Sequence, residues 1–182
     1  MTTLQAIESP AAWRSKELAA HGNWRLHLTP GEKDELVRAT EGALEKQIPI
    51  ECLTSAEFPL PRLSSKIRGL REVLEGGRGF MVLHGIPVDR FSLEEAKVLH
   101  WGFGQYLGYP EPQDKAGKLL HVVTDTGANV ETTYNIRIFQ TDDELTFHTD
   151  GADVFALLCI RPARTGGGSR LVSSTAIYNE LW

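Results

Sequence analysis

Two side chains that can bind a metal ion stand two positions apart in the segment Leu145-Thr-Phe-His-Thr-Asp-Gly151. The segment predicts a β-strand, whose side chains alternate between faces, so His148 and Asp150 would point the same way with Cα atoms about 6–7 Å apart. An imidazole and a carboxylate are two of the three ligands in the facial triad of non-haem Fe(II) oxygenases. Taken alone, the residues also fit a strand end that runs into an Asp-Gly turn.

The pattern of the chain changes from helical to β near residue 118. We therefore expect short β-strands to hold this segment in place. Apolar runs separated by turn-forming residues predict strands at 119–124, 133–140, 145–150, 154–160 and 170–173. The uninterrupted apolar run 154–160 predicts a central strand covered on both faces, with Cys159 buried. Strands at such regular intervals indicate a β-sandwich or barrel.

Helices are predicted before and after these strands. Thr29-Pro-Gly-Glu32 and Ser92-Leu-Glu-Glu95 are capping boxes that open two of them, and Ser64 or Ser65 opens a third that closes at Gly76. The glycines near the end of the Ser92 helix are interpreted as packing and capping residues. A short buried strand is predicted over 79–85, a strand or loop around Trp24, Leu26 and Leu28, and a last helix from Ser174. These patterns divide the chain into an N-terminal segment, 1–62, with one helix, and a domain, 63–182.

The composition excludes several classes of function. The chain has 182 residues, a net charge of −5 and 41% hydrophobic residues, which is typical of a soluble globular domain and too acidic to track nucleic acid. Its two cysteines imply no disulfide framework. The N-terminus lacks the features of a signal peptide, and no apolar run is long enough to cross a bilayer. We therefore expect a cytoplasmic protein without membrane or nucleic-acid partners.

Three segments in order, Gly79–Pro87, Leu145–Asp150 and Arg161–Ser174, resemble the taurine dioxygenase (TauD/TfdA-like) family of Fe(II)- and 2-oxoglutarate-dependent oxygenases. The resemblance covers the chain from about residue 76 onward. It implies an α+β fold: a double-stranded β-helix, or jelly roll, with helices packed outside. It also implies Fe(II) and 2-oxoglutarate as cofactors, with O2 as cosubstrate, and oxidation of a small organic molecule.

The resemblance assigns roles to particular residues. His148 and Asp150 fall on the family's first metal-binding histidine and its carboxylate, and Ser169 falls on the hydroxyl residue that helps to hold 2-oxoglutarate. Gly168 replaces the acidic residue of that segment, and 165–168 also fits a plain hairpin turn. Asn135 and Arg137, on one face of the preceding strand, are candidates to border the substrate. Arg137 fits a solvated strand position equally well.

The family completes its triad with a second histidine, and binds 2-oxoglutarate with an arginine, on strands later than those matched here. The resemblance therefore implies the N-terminal portion of a jelly-roll domain, incomplete at its C-terminus. Half a barrel exposes strand edges, so we expect a homo-oligomer or a companion C-terminal chain. The alternative is a non-catalytic, β-rich module that kept the fold and binds a partner or has a structural role.

Overall fold

The computed structural model describes residues 5–125 and 144–181. Contacts divide the chain into two compact units, one formed by Met1–Tyr109 with Ala156–Trp182 and the other by Pro110–Phe155. The helices and strands of the described residues all lie in the first unit. They are α1 (Ser15–His21), β1 (Arg25–His27), α2 (Pro30–Glu45), α3 (Leu63–Glu75), β2 (Val82–His84), α4 (Leu93–Gly104) and α5 (Ser174–Glu180), with single 3-10 turns at Ile50–Cys52 and Val88–Arg90. Among the described residues, no helix has the length and apolar character needed to span a membrane.

The two predicted capping boxes begin α2 and α4. At α2, the Thr29 N–H donates to Glu32 Oε2 at 2.7 Å, while the Thr29 hydroxyl accepts from the Glu32 N–H. At α4, the Ser92 N–H donates to Glu95 Oε2 at 2.8 Å, with the same reciprocal bond. Each box satisfies backbone N–H groups that have no partner inside the helix, which fixes the starting residue. Both predictions are confirmed.

Helix α3 begins earlier than predicted because another helix caps it. The buried carboxylate of Glu35, on α2, accepts hydrogen bonds from the Arg62 N–H at 2.8 Å and the Leu63 N–H at 2.9 Å. A negative charge at a helix N-terminus is also favoured by the helix dipole. The start at Leu63 therefore depends on a tertiary contact, and the predicted start at Ser64 or Ser65 was one or two residues late.

The core of the first unit lies where α2 and α4 pack against each other. Its largest fully buried side chains are those of Leu36, Thr40, Phe58, Leu60, Leu63, Ile67 and Leu99. Gly102 on α4 lets the Phe58 ring approach the helix, because a Cβ at this position would lie only 2.3 Å from ring carbons. The predicted packing role of this glycine is confirmed, since any larger residue would displace the ring.

Strands β1 and β2 form a parallel pair in which Arg25, Leu26 and His27 stand opposite Val82, Leu83 and His84. Of the strand or loop predicted around Trp24, Leu26 and Leu28, the structure forms a strand over Arg25–His27, and Leu28 after it is buried. The strand predicted over 79–85 is shorter and only partly covered. A two-stranded sheet protects little of its surface, which explains why β2 is not a buried strand.

The N-terminal segment is fastened to α5, the predicted last helix. The Asn179 side chain accepts a hydrogen bond from the Ile7 N–H at 2.8 Å and donates one to the Ile7 carbonyl at 3.0 Å. The Ser173 hydroxyl, which caps α5, also donates to the Ala11 carbonyl. Residues from the two ends of the chain therefore hold each other in place.

The strands predicted at 119–124, 145–150, 154–160 and 170–173 are not present in the described residues, and the one at 133–140 lies outside them. Phe155 and Leu157 are 55% and 73% exposed, and Cys159 is exposed too, so the expectation of a buried central strand was wrong. A strand needs a neighbouring strand to pair its backbone groups, and within the described residues only β1 and β2 are paired. The described residues therefore show helices and a small parallel sheet but no clear jelly roll.

Candidate metal-binding site

His148 and Asp150 lie together in the second unit, although the segment that carries them is not a strand. The distance from His148 Nε2 to Asp150 Oδ1 is 3.7 Å. Both side chains are about half exposed, at 53% and 48%. The expected placement of the two groups on one side of the chain is therefore seen, in an open and irregular backbone.

A backbone contact orients the imidazole. His148 Nδ1 lies 2.8 Å from the carbonyl oxygen of Thr146. In the neutral tautomer that donates from Nδ1, the lone pair of Nε2 is left to face the Asp150 carboxylate. Such a bond to the second ring nitrogen is the usual device that orients a metal-binding histidine.

Two acceptor atoms that face each other can share a cation. At metal–ligand distances of about 2.1 Å, a right-angled pair of ligands stands roughly 3 Å apart, so a closure of less than about 1 Å brings these atoms into range. Half-exposed side chains can make that movement by small rotations. The donor set, one imidazole nitrogen and one carboxylate oxygen, suits a first-row divalent metal such as Fe(II).

No cluster of three or more His, Cys, Asp or Glu that could hold a metal ion occurs in residues 5–125 and 144–181. The second unit contains a further histidine–carboxylate pair, His121 Nε2 with Asp114 Oδ2 at 3.2 Å. Asp114 also accepts hydrogen bonds from the N–H groups of Ala116 and Lys118, so its carboxylate organises a loop. Sequence reasoning missed this pair because six residues of irregular loop separate its members, and no periodic pattern relates them.

Of the other predicted site residues, Ser169 lies among the described residues. Ser169 is exposed in the first unit, after Gly166 and Gly167, whose φ angles of 70° and 69° turn the chain sharply. Two consecutive residues in the left-handed region favour glycine, but no strands flank 165–168 in the described residues, so the predicted hairpin turn is not formed there. Asn135 and Arg137 lie outside the described residues. Roles for these three residues therefore stay predictions.

The model of a family described as taurine catabolism dioxygenase TauD, TfdA family matches residues 44–182. FR-33289 synthase of Streptomyces rubellomurinus is 29% identical over 175 residues, which cover 96% of this chain and 52% of that protein. Taurine hydroxylase-like protein SAT17 of Stachybotrys chartarum is 26% identical over 181 residues, covering 96% of this chain and 47% of that protein. The chain spans about half the length of these curated relatives.

Proposed function

Because the chain belongs to the taurine catabolism dioxygenase TauD, TfdA family, we propose that it supplies the first two metal ligands of an Fe(II)- and 2-oxoglutarate-dependent oxygenase. The observation that carries the proposal is the His148–Asp150 pair, whose facing atoms lie 3.7 Å apart within the matched residues. We propose a small organic molecule as the substrate and the cytoplasm as the location.

The proposed roles follow from the chemistry of each side chain. His148 Nε2 and an Asp150 oxygen would hold Fe(II), with the Thr146 carbonyl fixing the tautomer of the imidazole. The single negative charge of this ligand pair leaves the site net positive, which favours binding of dianionic 2-oxoglutarate. The Ser169 hydroxyl would donate to that cosubstrate, and Asn135 and Arg137 would border the substrate. When bound, Fe(II) with 2-oxoglutarate supplies the activation of O2 that couples loss of CO2 to oxidation of a C–H bond.

The remaining ligands would come from the half of the domain that the relatives have beyond the matched region. We propose that this half provides the second histidine, the arginine for 2-oxoglutarate and the strands that complete a jelly roll. In such a barrel, the apolar run 154–160 becomes a central strand, which would account for the exposure of Phe155 and Leu157 here. The same half would shield His148 and Asp150 from water, which oxygenase chemistry requires. A companion chain or a second copy could supply these strands.

The test is an anaerobic titration with Fe(II) and 2-oxoglutarate, read as the visible charge-transfer band of the chelate. The chain is titrated alone and together with a polypeptide that supplies the second half of the family domain. We expect a band only in the combination. His148→Ala and Asp150→Ala should each abolish it, because two ligands hold Fe(II) weakly.

Asp153→Ala is the matched control, since Asp153 is an exposed carboxylate three residues beyond Asp150. It should leave the band intact. A band of unchanged strength in His148→Ala, with circular dichroism showing an intact fold, would remove His148 from the site. No band with or without the second half would favour a non-catalytic module.

A further inference from the structure

A second pair of histidines lies on the small parallel sheet of the first unit. His27 on β1 and His84 on β2 are partners in the strand register. Their rings are stacked, with centroids 4.6 Å apart and planes inclined by 12°. Both residues are exposed to solvent. The register therefore holds two imidazoles side by side on an open surface.

The ring nitrogens of this pair are uncommitted. Among the residues that the structure describes, neither ring takes part in a hydrogen bond or an ion pair, and their contact is with each other. By contrast, His121 and His148 face carboxylates. Two stacked imidazoles with free lone pairs form a neutral, bidentate nitrogen donor set.

We propose that His27 and His84 bind one divalent first-row transition ion, such as Zn²⁺ or Cu²⁺, through one nitrogen of each ring, with water in the remaining positions. Metal–nitrogen distances of about 2.0–2.1 Å at a tetrahedral angle place the two nitrogens about 3.3 Å apart. The rings are stacked with centroids 4.6 Å apart and nearly parallel planes, so both must tilt out of the stack to bring their lone pairs together on one ion. The tilt needs only side-chain rotation, because the strand pairing already fixes the backbone.

The neighbouring charges and the donor atoms of the His27–His84 pair determine which ions it can bind. Arg25 lies on the same face of β1 as His27, two residues earlier, with its guanidinium 4.1 Å from the Trp24 ring centroid. Lys33 packs against Gly85, next to His84, where a Cβ would lie only 2.6 Å from Lys33 Cε. These positive neighbours oppose the binding of any cation, so the preference rests on the donor atoms: the pair lacks a carboxylate, and Mg²⁺ and Ca²⁺ require oxygen ligands. Imidazole nitrogens favour zinc and copper.

The site joins a segment that precedes the family match to the matched domain. His27 lies before residue 44, where the match begins, and His84 lies inside it. An ion bound by both residues binds only when β1 and β2 are paired. It would therefore stabilise the sheet by mass action, by a free energy that grows with the logarithm of its free concentration above the Kd.

Calorimetric titration with ZnCl2 tests the site in the chain that carries His148→Ala and Asp150→Ala, so that the proposed iron site does not contribute. We expect one saturable zinc equivalent that weakens at least about tenfold in His27→Gln and in His84→Gln, because the second imidazole binds intramolecularly. Thermal unfolding should shift upward with zinc in the parent chain and not in these variants.

His21→Gln is the matched control, since His21 is an exposed histidine outside the sheet. It should bind zinc as the parent does. Unchanged zinc affinity in both His27→Gln and His84→Gln would overturn the proposal. Equal affinity for MgCl2 would overturn the assignment to a transition ion. Either outcome leaves the iron-site test unaffected, because that test uses a different pair of residues.

Discussion

The helices of the first unit and the segment 144–160 are both predicted from periodic patterns, but only the helices are formed in the described structure. An α-helix closes its hydrogen bonds within a single stretch of chain, and the boxes at Thr29 and Ser92 complete two of them. A strand takes its partners from elsewhere. The difference shows that local patterns suffice for a helix, whereas a strand forms only where a partner strand is available.

The largest expected effect compares two leucines of the first unit, one in each kind of region. Leu36 on α2 is fully buried, and Leu157 in the apolar run is 73% exposed. Leu36→Ala should lower the free energy of unfolding by about 2–5 kcal/mol, because it removes buried methyl groups and leaves a cavity. Leu157→Ala should change it by less than about 0.5 kcal/mol. Urea denaturation followed by circular dichroism measures both.

The same two variants also test whether the 154–160 run is packed less firmly than the helices. A loss of about 2 kcal/mol or more in Leu157→Ala would mean that the 154–160 run packs in solution as firmly as the helices do. If the proposed second half of the domain is added and covers this run, the cost of Leu157→Ala should rise toward that of Leu36→Ala. That rise would support the jelly roll over a free-standing helical module.

How much of the fold could be predicted depends on where the determinants lie. The starts of α2 and α4 and the packing role of Gly102 follow from neighbouring residues, and all three were predicted correctly. The start of α3 was missed because its cap, Glu35, belongs to another helix. The apolar pattern of 154–160 predicted a strand that the described residues do not form, because no pattern within a strand provides the partner that it needs.

The candidate site, too, could be predicted only where its residues are neighbours in the sequence. His148 and Asp150 are two residues apart, so their proximity could be predicted from spacing alone, and it is found even without a strand. His27 and His84 could not be paired from the sequence, because no spacing relates residues so far apart in the chain. Only the register of β1 with β2 brings them together. Ligands supplied across a sheet are therefore the part of a site that sequence patterns predict least well.

A smaller effect tests the cap that sequence could not predict. Glu35→Ala leaves the buried N–H groups of Arg62 and Leu63 without their acceptor and should cost about 1–3 kcal/mol in urea denaturation. Glu94→Ala is the control, because Glu94 pairs with Lys97 on the exposed face of α4 and should contribute less than about 0.5 kcal/mol. Equal costs in the two variants would show that the tertiary cap is no stronger than a surface pair.

The smallest effect concerns the contact between α4 and the start of the apolar run. Burial lowers the pKa of His100 below its usual value, and an interaction with the Ala156 backbone opposes the shift only in part. In the unfolded chain this imidazole titrates near pH 6.5, so at mildly acidic pH the unfolded state binds more protons than the folded state. The free energy of unfolding should therefore rise as the pH is raised from about 5 to 7.

His100→Gln should flatten this part of the pH profile of the urea midpoint, because the glutamine carries no titrating group. His21→Gln should keep the slope of the parent chain, since His21 is exposed on the last turn of α1. If His100→Gln retains the full slope, the imidazole is solvated in solution, and Ala156 does not cover it. The run 154–160 would then be as exposed to solvent beside α4 as it is at Leu157. The difference in burial between this run and the helices would be larger still.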